Sequence, residues 1–444
     1  MKRFLFLASS FPPLTSGATP VILNVSRYMP EAGWEMVPIT VSNPRGLPFD
    51  TTLEDMLPEY LDVTRVYHPD LTRIAGKLRT RISGTSRRSR SETEPTPIQK
   101  KADDNSLLKF LRDYVLVPDR LITWLPFAVP AGLRLVEEKK AEVIVSFGPH
   151  HSMHIIGEII ARIAGIPLVP FFGDLWLNDS NVSWPNRLNR RIETMLERYI
   201  VEHADGIAAT TNGSIGYFKD TYGTACPPTQ VIENGYDPEQ KLPEKDNPAE
   251  RDFLLITCTG NFFGGQSPSN IYRGLRLFLD RHHDAQVKVR LIGKQESEYY
   301  DLLKTIELSS NLELIDTVPF SDIPRCQMES DVLLASLGDI PGAELKNSSK
   351  LAEYLRTGKP ILAIAPEGDM TNYVRTLEAG YIAKPTPEGF AETLDEVFNN
   401  WKKGDLHGLR KHEAMEEIFN ARNIMKRFGA FLDRIVSGDQ GMEI

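Results

Sequence analysis

Residues 345–364 have the sequence LKNSSKLAEYLRTGKPILAI, in which a helical segment that ends near Gly358 is followed by a short apolar strand. The same alternation of buried strand and helix runs through almost the whole chain. Nearly continuous apolar strands separated by helices are typical of parallel sheets that helices cover on both faces. The sequence therefore predicts an α/β protein. Seven further apolar runs, each followed by a turn signal and a helix-like period, are RFLFLASS (3–10), EVIVSFG (142–148), IPLVPFFG (166–173), DGIAATT (205–211), LLITCTG (254–260), VKVRLIG (287–293) and DVLLASL (331–337).

The series of strands is interrupted between about residues 239 and 251. The segment KLPEKDNPAER (241–251) is polar and charged and contains two prolines, which is typical of a linker. We therefore predict two doubly wound Rossmann-like domains, at 1–240 and 253–415, joined by a linker at 241–252. Ligands of such sheets bind beyond the carboxyl ends of the strands, so we expect the two parallel sheets to face each other across a cleft with one shared site.

Composition excludes several classes of function. The 444 residues include 51 Lys and Arg against 60 Asp and Glu, a formal charge of -9, which argues against a nucleic-acid binder that works through bulk positive charge. The three cysteines, Cys226, Cys258 and Cys326, lie far apart and form no CxxC pair. This spacing argues against a zinc ribbon, a redox dithiol or a disulfide framework, and it favours a reducing compartment.

The first residues, MKRFLFLASS, resemble the start of a signal peptide. The apolar run is shorter than the ~7–15 residues that such peptides need, and Pro12 and Pro13 follow directly, so we interpret it as the first buried strand. No apolar run approaches the ~20 residues that span a bilayer. We expect a cytoplasmic protein.

One segment departs from the strand and helix pattern. Residues 73–90 contain seven basic side chains and no acid, and the Ser/Thr/Pro-rich sequence SETEPTP (91–97) follows. We predict a mobile basic insertion at about 73–105. It is either a solvated loop or a patch that binds anionic lipid headgroups or an anionic polymer. The basic residues are Arg73, Lys77, Arg79, Arg81, Arg87, Arg88 and Arg90.

Two loops have the composition of phosphate-binding turns between a strand and a helix. The first, SSFPPLTSGATPVILN (9–24), contains Gly17 but lacks the GxGxxG fingerprint, and a plain turn explains it equally well. The second, TGNFFGGQSPSN (259–270), contains Gly260, Gly264 and Gly265, which allow a phosphate to approach the backbone closely.

Polar and aromatic side chains follow two of the predicted strands. SFGPHHSMH (146–154) carries His150, His151 and His154, which are either functional groups or capping and loop residues. FFGDLWLND (171–179) places Asp174 and Trp176 directly after a strand. A carboxylate there can bind sugar hydroxyls and an indole can stack on a sugar face; the alternative is a helix N-cap beside a packing aromatic.

Lys350 and Glu353 lie three residues apart on the helix of 345–364. A carboxylate that faces the cleft can accept both hydroxyls of a ribose, and a lysine one turn earlier can neutralise phosphate charge. The alternative is an ion pair on the helix surface.

Together these stretches resemble the retaining family 4 glycosyltransferases of bacterial surface-polysaccharide synthesis, which have the B-type fold of two Rossmann-like domains. The resemblance covers most of the chain except the basic insertion, and its last two motifs are the most specific. The matching stretches are SSFPPLTSGATPVILNVSRYMPEAGWEMVPIT (9–40), VPDRLITWLPFAV (117–129), VIVSFGPHHSMHIIG (143–157), GDLW (173–176), HADGIAATT (203–211), VIENGYD (231–237), GNFFGGQSP (260–268) and KLAEYLRTGKPILAI (350–364).

The resemblance implies transfer of a sugar from a UDP- or GDP-sugar to a glycan or lipid-linked acceptor hydroxyl, with retention and without a bound metal. It also implies a C-terminal helix, within 416–444, that returns to the N-terminal domain. Carried over by motif, Glu353 would hold the ribose and Lys350 would lie near the diphosphate. The donor phosphates would lie between the loops at Gly17 and at Gly260, Asn261 and Gln266. His151, His154 and Asp174 would lie near the transferred sugar or the acceptor.

Three positions depart from the pattern of that family. Many relatives carry an Arg where this chain has Gln266, a Glu where it has Leu345, and an Arg where it has Gly173. Each change removes or displaces a charged group near the expected cleft, and Glu344 lies one residue from the position of the missing Glu. The loss of two cations should slow transfer unless Lys294 or Lys346 compensates. These departures keep two alternatives open: a catalytically degenerate protein that binds a sugar nucleotide or acts as a scaffold, and a nucleotide-sugar epimerase on the same architecture.

Overall fold

The computed structural model describes residues 1–42, 49–71, 114, 116–178, 184–243, 251–262, 267–295, 297–306, 308, 310–316 and 318–439. The predicted basic insertion at about 73–105, the loop residue Gln266 and most of the predicted linker lie outside the described residues.

The N-terminal part of the chain forms a sheet of seven parallel strands in the order β3-β2-β1-β4-β5-β6-β7. The strands are β1 (Lys2–Ala8), β2 (Trp34–Val41), β3 (Thr64–Val66), β4 (Val143–Gly148), β5 (Leu168–Phe172), β6 (Ile207–Ala209) and β7 (Thr229–Val231). The helices that connect and cover them are α1 (Thr19–Tyr28), α2 (Leu125–Lys139), α3 (Ser152–Ala164), α4 (Arg187–His203) and α5 (Asn212–Tyr222).

The C-terminal part forms a sheet of six parallel strands in the order β10-β9-β8-β11-β12-β13. The strands are β8 (Leu254–Thr259), β9 (Val287–Ile292), β10 (Leu312–Ile315), β11 (Val332–Ser336), β12 (Ile361–Ile364) and β13 (Gly380–Ala383). The helices are α6 (Ser269–Arg281), α7 (Ser297–Leu303), α8 (Ile323–Met328), α9 (Leu351–Arg356), α10 (Asp369–Thr376), α11 (Pro387–Lys402), α12 (His412–Phe419) and α13 (Ala421–Ser437).

This topology confirms the predicted pair of doubly wound parallel sheets. In both sheets the first strand is central, and the chain moves outward on one side and then returns to the other side, so a crevice opens where the direction reverses. The central strands β4, β5 and β8 are buried at every position, including the polar residues Ser146, Thr257 and Thr259. Burial on both faces explains why these strands are mostly apolar rather than apolar on one face only.

The last helix, α13, joins the core of the first sheet although it ends the described chain. Its apolar face places Phe428 and Leu432 in one cluster with Phe4 and Trp34, all of them fully buried. The chain therefore returns to the N-terminal sheet after it completes the second one. None of the helices in the described part of the chain combines the length and the apolar content needed to cross a membrane.

Candidate functional site

Loops from the carboxyl ends of both sheets meet in the space between them. Lys346, which follows β11, has its ammonium 3.6 Å from a carboxylate oxygen of Asp174, which follows β5. Nearby, the backbone N–H of Gly213, at the start of α5, donates to Asp369 of α10 at 2.6 Å. These contacts hold the two sheets together beside the crevice.

Lys350 is packed against the backbone of the loop that follows β8. A Cβ built on Gly260 would lie 2.8 Å from the Lys350 ammonium and closer still to its Cε, and Gly260 has a φ of +111°. The positive φ favours glycine at this position, and a Cβ there would also displace the end of the Lys350 side chain. The ammonium lies 5.7 Å from the ring centroid of Phe262, and no carboxylate forms an ion pair with it in the part of the chain that the structure describes.

The backbone of this loop is braced against the end of β9. The N–H of Gly260 donates to the carbonyl of Ile292 at 2.7 Å, and the Asn261 side-chain oxygen accepts the N–H of Lys294 at 2.7 Å. Directly before the loop, at the end of β8, the N–H of Thr259 donates to the hydroxyl of Tyr354 at 2.9 Å. Asn261, predicted to face the donor phosphates, thus also fixes the loop.

Glu353 is mostly buried and is paired with a cation on its own helix. Its side chain is 24% exposed, and its carboxylate lies 3.5 Å from Nη1 of Arg356. Burial raises the pKa of the Glu353 carboxyl to about 7; Arg356 opposes the shift, and the charge of Asp237 adds to it. The alternative of a Lys350–Glu353 ion pair is not found among the described contacts, because Glu353 pairs with Arg356 and Lys350 turns to Gly260.

Arg356 connects Glu353 to the segment that leaves the first sheet. Its guanidinium donates to the side-chain oxygen of Gln240 at 3.2 Å and lies 5.6 Å from the ring centroid of Tyr236. Arg356 was missed at the sequence level, although its spacing of three residues from Glu353 is a signal for an ion pair on a helix.

The three histidines after β4 occupy different environments. His154 is completely buried, and its Nδ1 lies 2.9 Å from the Ser146 hydroxyl. Burial and the neighbouring His151 hold the pKa of His154 well below its ordinary value, so the ring is neutral. His150 is less buried, and its Nδ1 lies 3.0 Å from the hydroxyl of Ser9 after β1. Of the three, His154 lies furthest from solvent.

His151 stacks on the indole of Trp176, with ring centroids 4.8 Å apart and an angle of 4° between the planes. Trp176 is fully buried, so the structure uses it as a packing aromatic. Asp174 is 41% exposed at the contact with Lys346. One loop therefore connects the two side chains, because His151 stacks on Trp176 and Asp174 lies two residues before Trp176.

Gly17 lies at the open end of the first loop. It is exposed, and a Cβ built on it would meet nothing within 4 Å, so the turn does not depend on glycine. The hydroxyl of Ser16 accepts the N–H of Ala18 at 3.2 Å and stabilises the start of α1. Neither a hydrogen bond nor an ion pair links Gly17 to Lys350 or Glu353 among the described residues.

Two departures from the related sequences have a local explanation. A Cβ on Gly173 would lie 2.6 Å from the carbonyl oxygen of Gly148, so the arginine of relatives does not fit here without movement of the backbone. Leu345 packs against the start of α5, where its carbonyl accepts the hydroxyl of Thr211 at 2.6 Å. The position is used for contact between the two sheets. Gln266, the third departure, lies outside the described residues.

Comparisons with known proteins agree with this fold. No curated protein matches the chain by sequence. The family model described as Glycosyltransferase Family 4 matches residues 92–240. Sucrose-phosphate synthase from Thermosynechococcus elongatus is 13% identical, with a TM-score of 0.68 over 99% of this chain and 100% of that chain. HepE from Anabaena, solved with UDP and glucose, is 15% identical, with a TM-score of 0.66 over 98% and 100%.

A protein from Listeria monocytogenes, assigned as a UDP-N-acetylglucosamine 2-epimerase, has the same architecture. It is 10% identical and has a TM-score of 0.56 over 99% of this chain and 98% of that chain. At such identities the likeness establishes the fold and leaves the reaction open. The chain therefore has the two-domain B-type glycosyltransferase fold, and its residues 92–240 match Glycosyltransferase Family 4.

Proposed function

We propose that the protein is a glycosyltransferase that moves a sugar from a nucleotide-diphosphate sugar to an acceptor hydroxyl. The observation that carries the proposal is the placement of Lys350. Its ammonium lies over the backbone of the Gly260 loop without a carboxylate partner among the described residues, one helical turn before the largely buried Glu353. An uncompensated cation against a glycine turn suits a diphosphate, and a carboxylate beside it suits a ribose.

Each residue then has a role in binding or transfer. Lys350 neutralises the charge that grows on the leaving diphosphate, so the reaction needs no bound metal. Glu353 accepts the ribose hydroxyls. Asn261 and Gly260 shape the phosphate loop, and the loop at Gly17 approaches the phosphates from the other sheet.

The groups on the N-terminal side face the transferred sugar or the acceptor. His151 and Asp174 are the stronger candidates, because Asp174 lies at the crevice and His151 is joined to the same loop through Trp176. His154 is completely buried, so we propose that it acts indirectly, through its neighbour His151. The ring centroids of the two histidines lie 5.7 Å apart.

We further infer a UDP- or GDP-sugar donor, retention of anomeric configuration, and a glycan or lipid-linked acceptor in surface-polysaccharide synthesis. HepE supports the donor class, since its structure was solved with UDP and glucose. We also propose a cytoplasmic protein, and the seven basic residues of 73–90 support its binding to an anionic membrane surface. Sedimentation with liposomes should then depend on anionic lipid and weaken with salt.

The test is nucleotide release from a panel of sugar nucleotides with a mixture of acceptors. Wild type should release nucleotide only when donor and acceptor are both present, and Lys350→Ala and Glu353→Ala should each lower kcat/KM by about 10- to 100-fold, since charge-assisted hydrogen bonds are worth ~1.5–3 kcal/mol. The exposed residues Lys403 and Glu392 provide matched controls as Lys403→Ala and Glu392→Ala. Full activity in both site variants would refute the assignment of the site.

Two other outcomes would replace the proposal. Interconversion of a sugar nucleotide without any acceptor would identify an epimerase, a reaction that the architecture also accommodates. Binding of a sugar nucleotide without turnover across the panel would identify a degenerate binding protein. This second alternative is favoured by Gln266, Gly173 and Leu345, three positions where relatives have charged residues.

A further inference from the structure

Two buried carboxylates lie behind the loop at 173–178. Glu193 and Glu197 are four residues apart on α4 and share one face of the helix. Glu193 is 7% exposed and Glu197 is completely buried. A buried carboxylate is costly unless hydrogen bonds compensate for its lost hydration, so its partners indicate what it is there to hold.

The partners of both acids lie on the loop or behind it. Oε2 of Glu193 accepts the indole N–H of Trp176 at 3.1 Å, and Oε2 of Glu197 accepts the backbone N–H of Leu177 at 3.0 Å. The other oxygen of Glu197 accepts the hydroxyls of Tyr217 at 2.9 Å and Tyr222 at 2.6 Å, both on α5. Two adjacent loop residues are thus each held by a separate carboxylate.

The same loop carries the groups on the crevice side. The indole of Trp176 stacks on His151 with an interplanar angle of 4°. Asp174 is two residues before Trp176 and lies 3.6 Å from Lys346 of the opposite sheet. The hydrogen bond from Trp176 to Glu193 fixes the rotation of the indole in its own plane, and the indole face in turn sets the plane of the imidazole.

We propose that Glu193 and Glu197 are positioning residues that hold His151 and Asp174 in place for sugar transfer by fixing Trp176 and Leu177. The inference rests on the proposed function, because that function assigns His151 and Asp174 to the transferred sugar or the acceptor. An apolar side chain in place of Glu193 would fill the same space but leave the indole N–H without an acceptor. The indole would then move, and a displacement of the reacting geometry by about 1 Å costs up to ~100-fold in rate.

The first measurement needs no activity. We expect a proton on the His151 ring, observed by NMR after histidine ring labelling and assigned with His151→Gln, to be shifted upfield by the indole. Glu193→Gln retains an acceptor oxygen and should keep this shift. Glu193→Leu should move the signal towards the position of an exposed histidine. Glu193→Met also lacks an acceptor oxygen and keeps the indole, so it provides a second variant in case Glu193→Leu folds poorly. Trp176→Phe, which has an aromatic face but no N–H, is reserved for the activity measurement.

The second measurement uses the transfer reaction. Glu193→Leu and Trp176→Phe should lower kcat by about 10- to 100-fold and leave the KM for the sugar nucleotide within about twofold, because the donor is held by the opposite domain. Glu193→Gln should restore most of kcat. Glu202→Gln is the matched control, since Glu202 lies on the same helix and pairs at the surface with Arg198.

An unchanged His151 signal in Glu193→Leu would overturn the proposal, as would unchanged kcat in both Glu193→Leu and Trp176→Phe. An equal loss of kcat in Glu193→Gln and Glu193→Leu would overturn it as well. A hydrogen-bonding role requires that Glu193→Gln, which keeps an acceptor oxygen, loses less activity than Glu193→Leu. If wild type transfers no sugar, the proposed function fails, while the NMR comparison still decides whether Glu193 orients His151.

Discussion

Donor binding should depend on pH through Glu353. Burial raises the pKa of its carboxyl to about 7. A carboxylate that accepts two ribose hydroxyls must be ionised, so binding favours the charged form. With a pKa of about 7, about a tenth of the protein carries ionised Glu353 near pH 6 and about nine-tenths near pH 8. Affinity for a sugar nucleotide should therefore rise by up to about tenfold, or ~1.4 kcal/mol, between these pH values.

The assay is calorimetric titration of a sugar nucleotide that binds to wild type. A sugar nucleotide is preferable to a free nucleoside diphosphate, because its diphosphate does not titrate in this range. Glu353→Gln should bind more weakly and show no dependence on pH. A ligand without the ribose hydroxyls should behave in the same way with wild type. Glu367→Gln, which removes an exposed acid that pairs with Arg375 in the same domain, is the matched control.

The same shift predicts an effect on stability. Because the folded pKa is raised above that of the unfolded chain, folding favours the protonated carboxyl, and stability is lost as the pH rises from about 4.5 through about 7. A glutamine at this position would carry no charge at any pH. Glu353→Gln should therefore increase the free energy of unfolding near pH 8 by about 1–3 kcal/mol while it impairs binding. Tighter wild-type binding near pH 6, or a titration that survives in Glu353→Gln, would refute the reasoning.

Two further predictions concern glycines that face the site. Gly260→Ala should weaken nucleotide binding by at least about tenfold, because its φ of +111° strains a residue with a Cβ and the Cβ would displace the Lys350 ammonium. Gly216→Ala, where a Cβ meets nothing within 4 Å, should bind normally in the same titration. Gly173→Arg, which restores the residue of relatives, should lower the melting temperature and activity, because its Cβ would lie 2.6 Å from the carbonyl oxygen of Gly148; a gain of activity would contradict this explanation.

The strands that the sequence predicts are those buried on both faces. All eight predicted apolar runs form strands, including PILAI at β12. Four of the five strands that were missed, β3, β7, β10 and β13, are the edges of the two sheets. Edge strands are short and only partly buried, so they lack a continuous apolar run. The fifth, β2, lies next to the centre and is almost entirely buried, so its absence from the prediction has no structural explanation.

The site was predictable only where its residues are close in sequence. Lys350 and Glu353 were identified from their helix, but their partners depend on tertiary contacts. The packing of Lys350 on Gly260 joins residues 90 positions apart, and the pairing of Asp174 with Lys346 joins the two sheets. No spacing rule finds such pairs. For the same reason the sequence did not reveal that His154 is completely buried whereas His150, four residues earlier, is not.

The central claim is that the crevice beside Lys350 binds a nucleotide diphosphate. A thermal-shift screen with UDP, GDP, ADP and dTDP tests it most directly, since a ligand that binds only the folded state raises the melting temperature. We predict that one of the four selectively stabilises wild type and that the effect is lost in Lys350→Ala but kept in Lys403→Ala. The absence of stabilisation by all four, or equal stabilisation of wild type and Lys350→Ala, would contradict the claim.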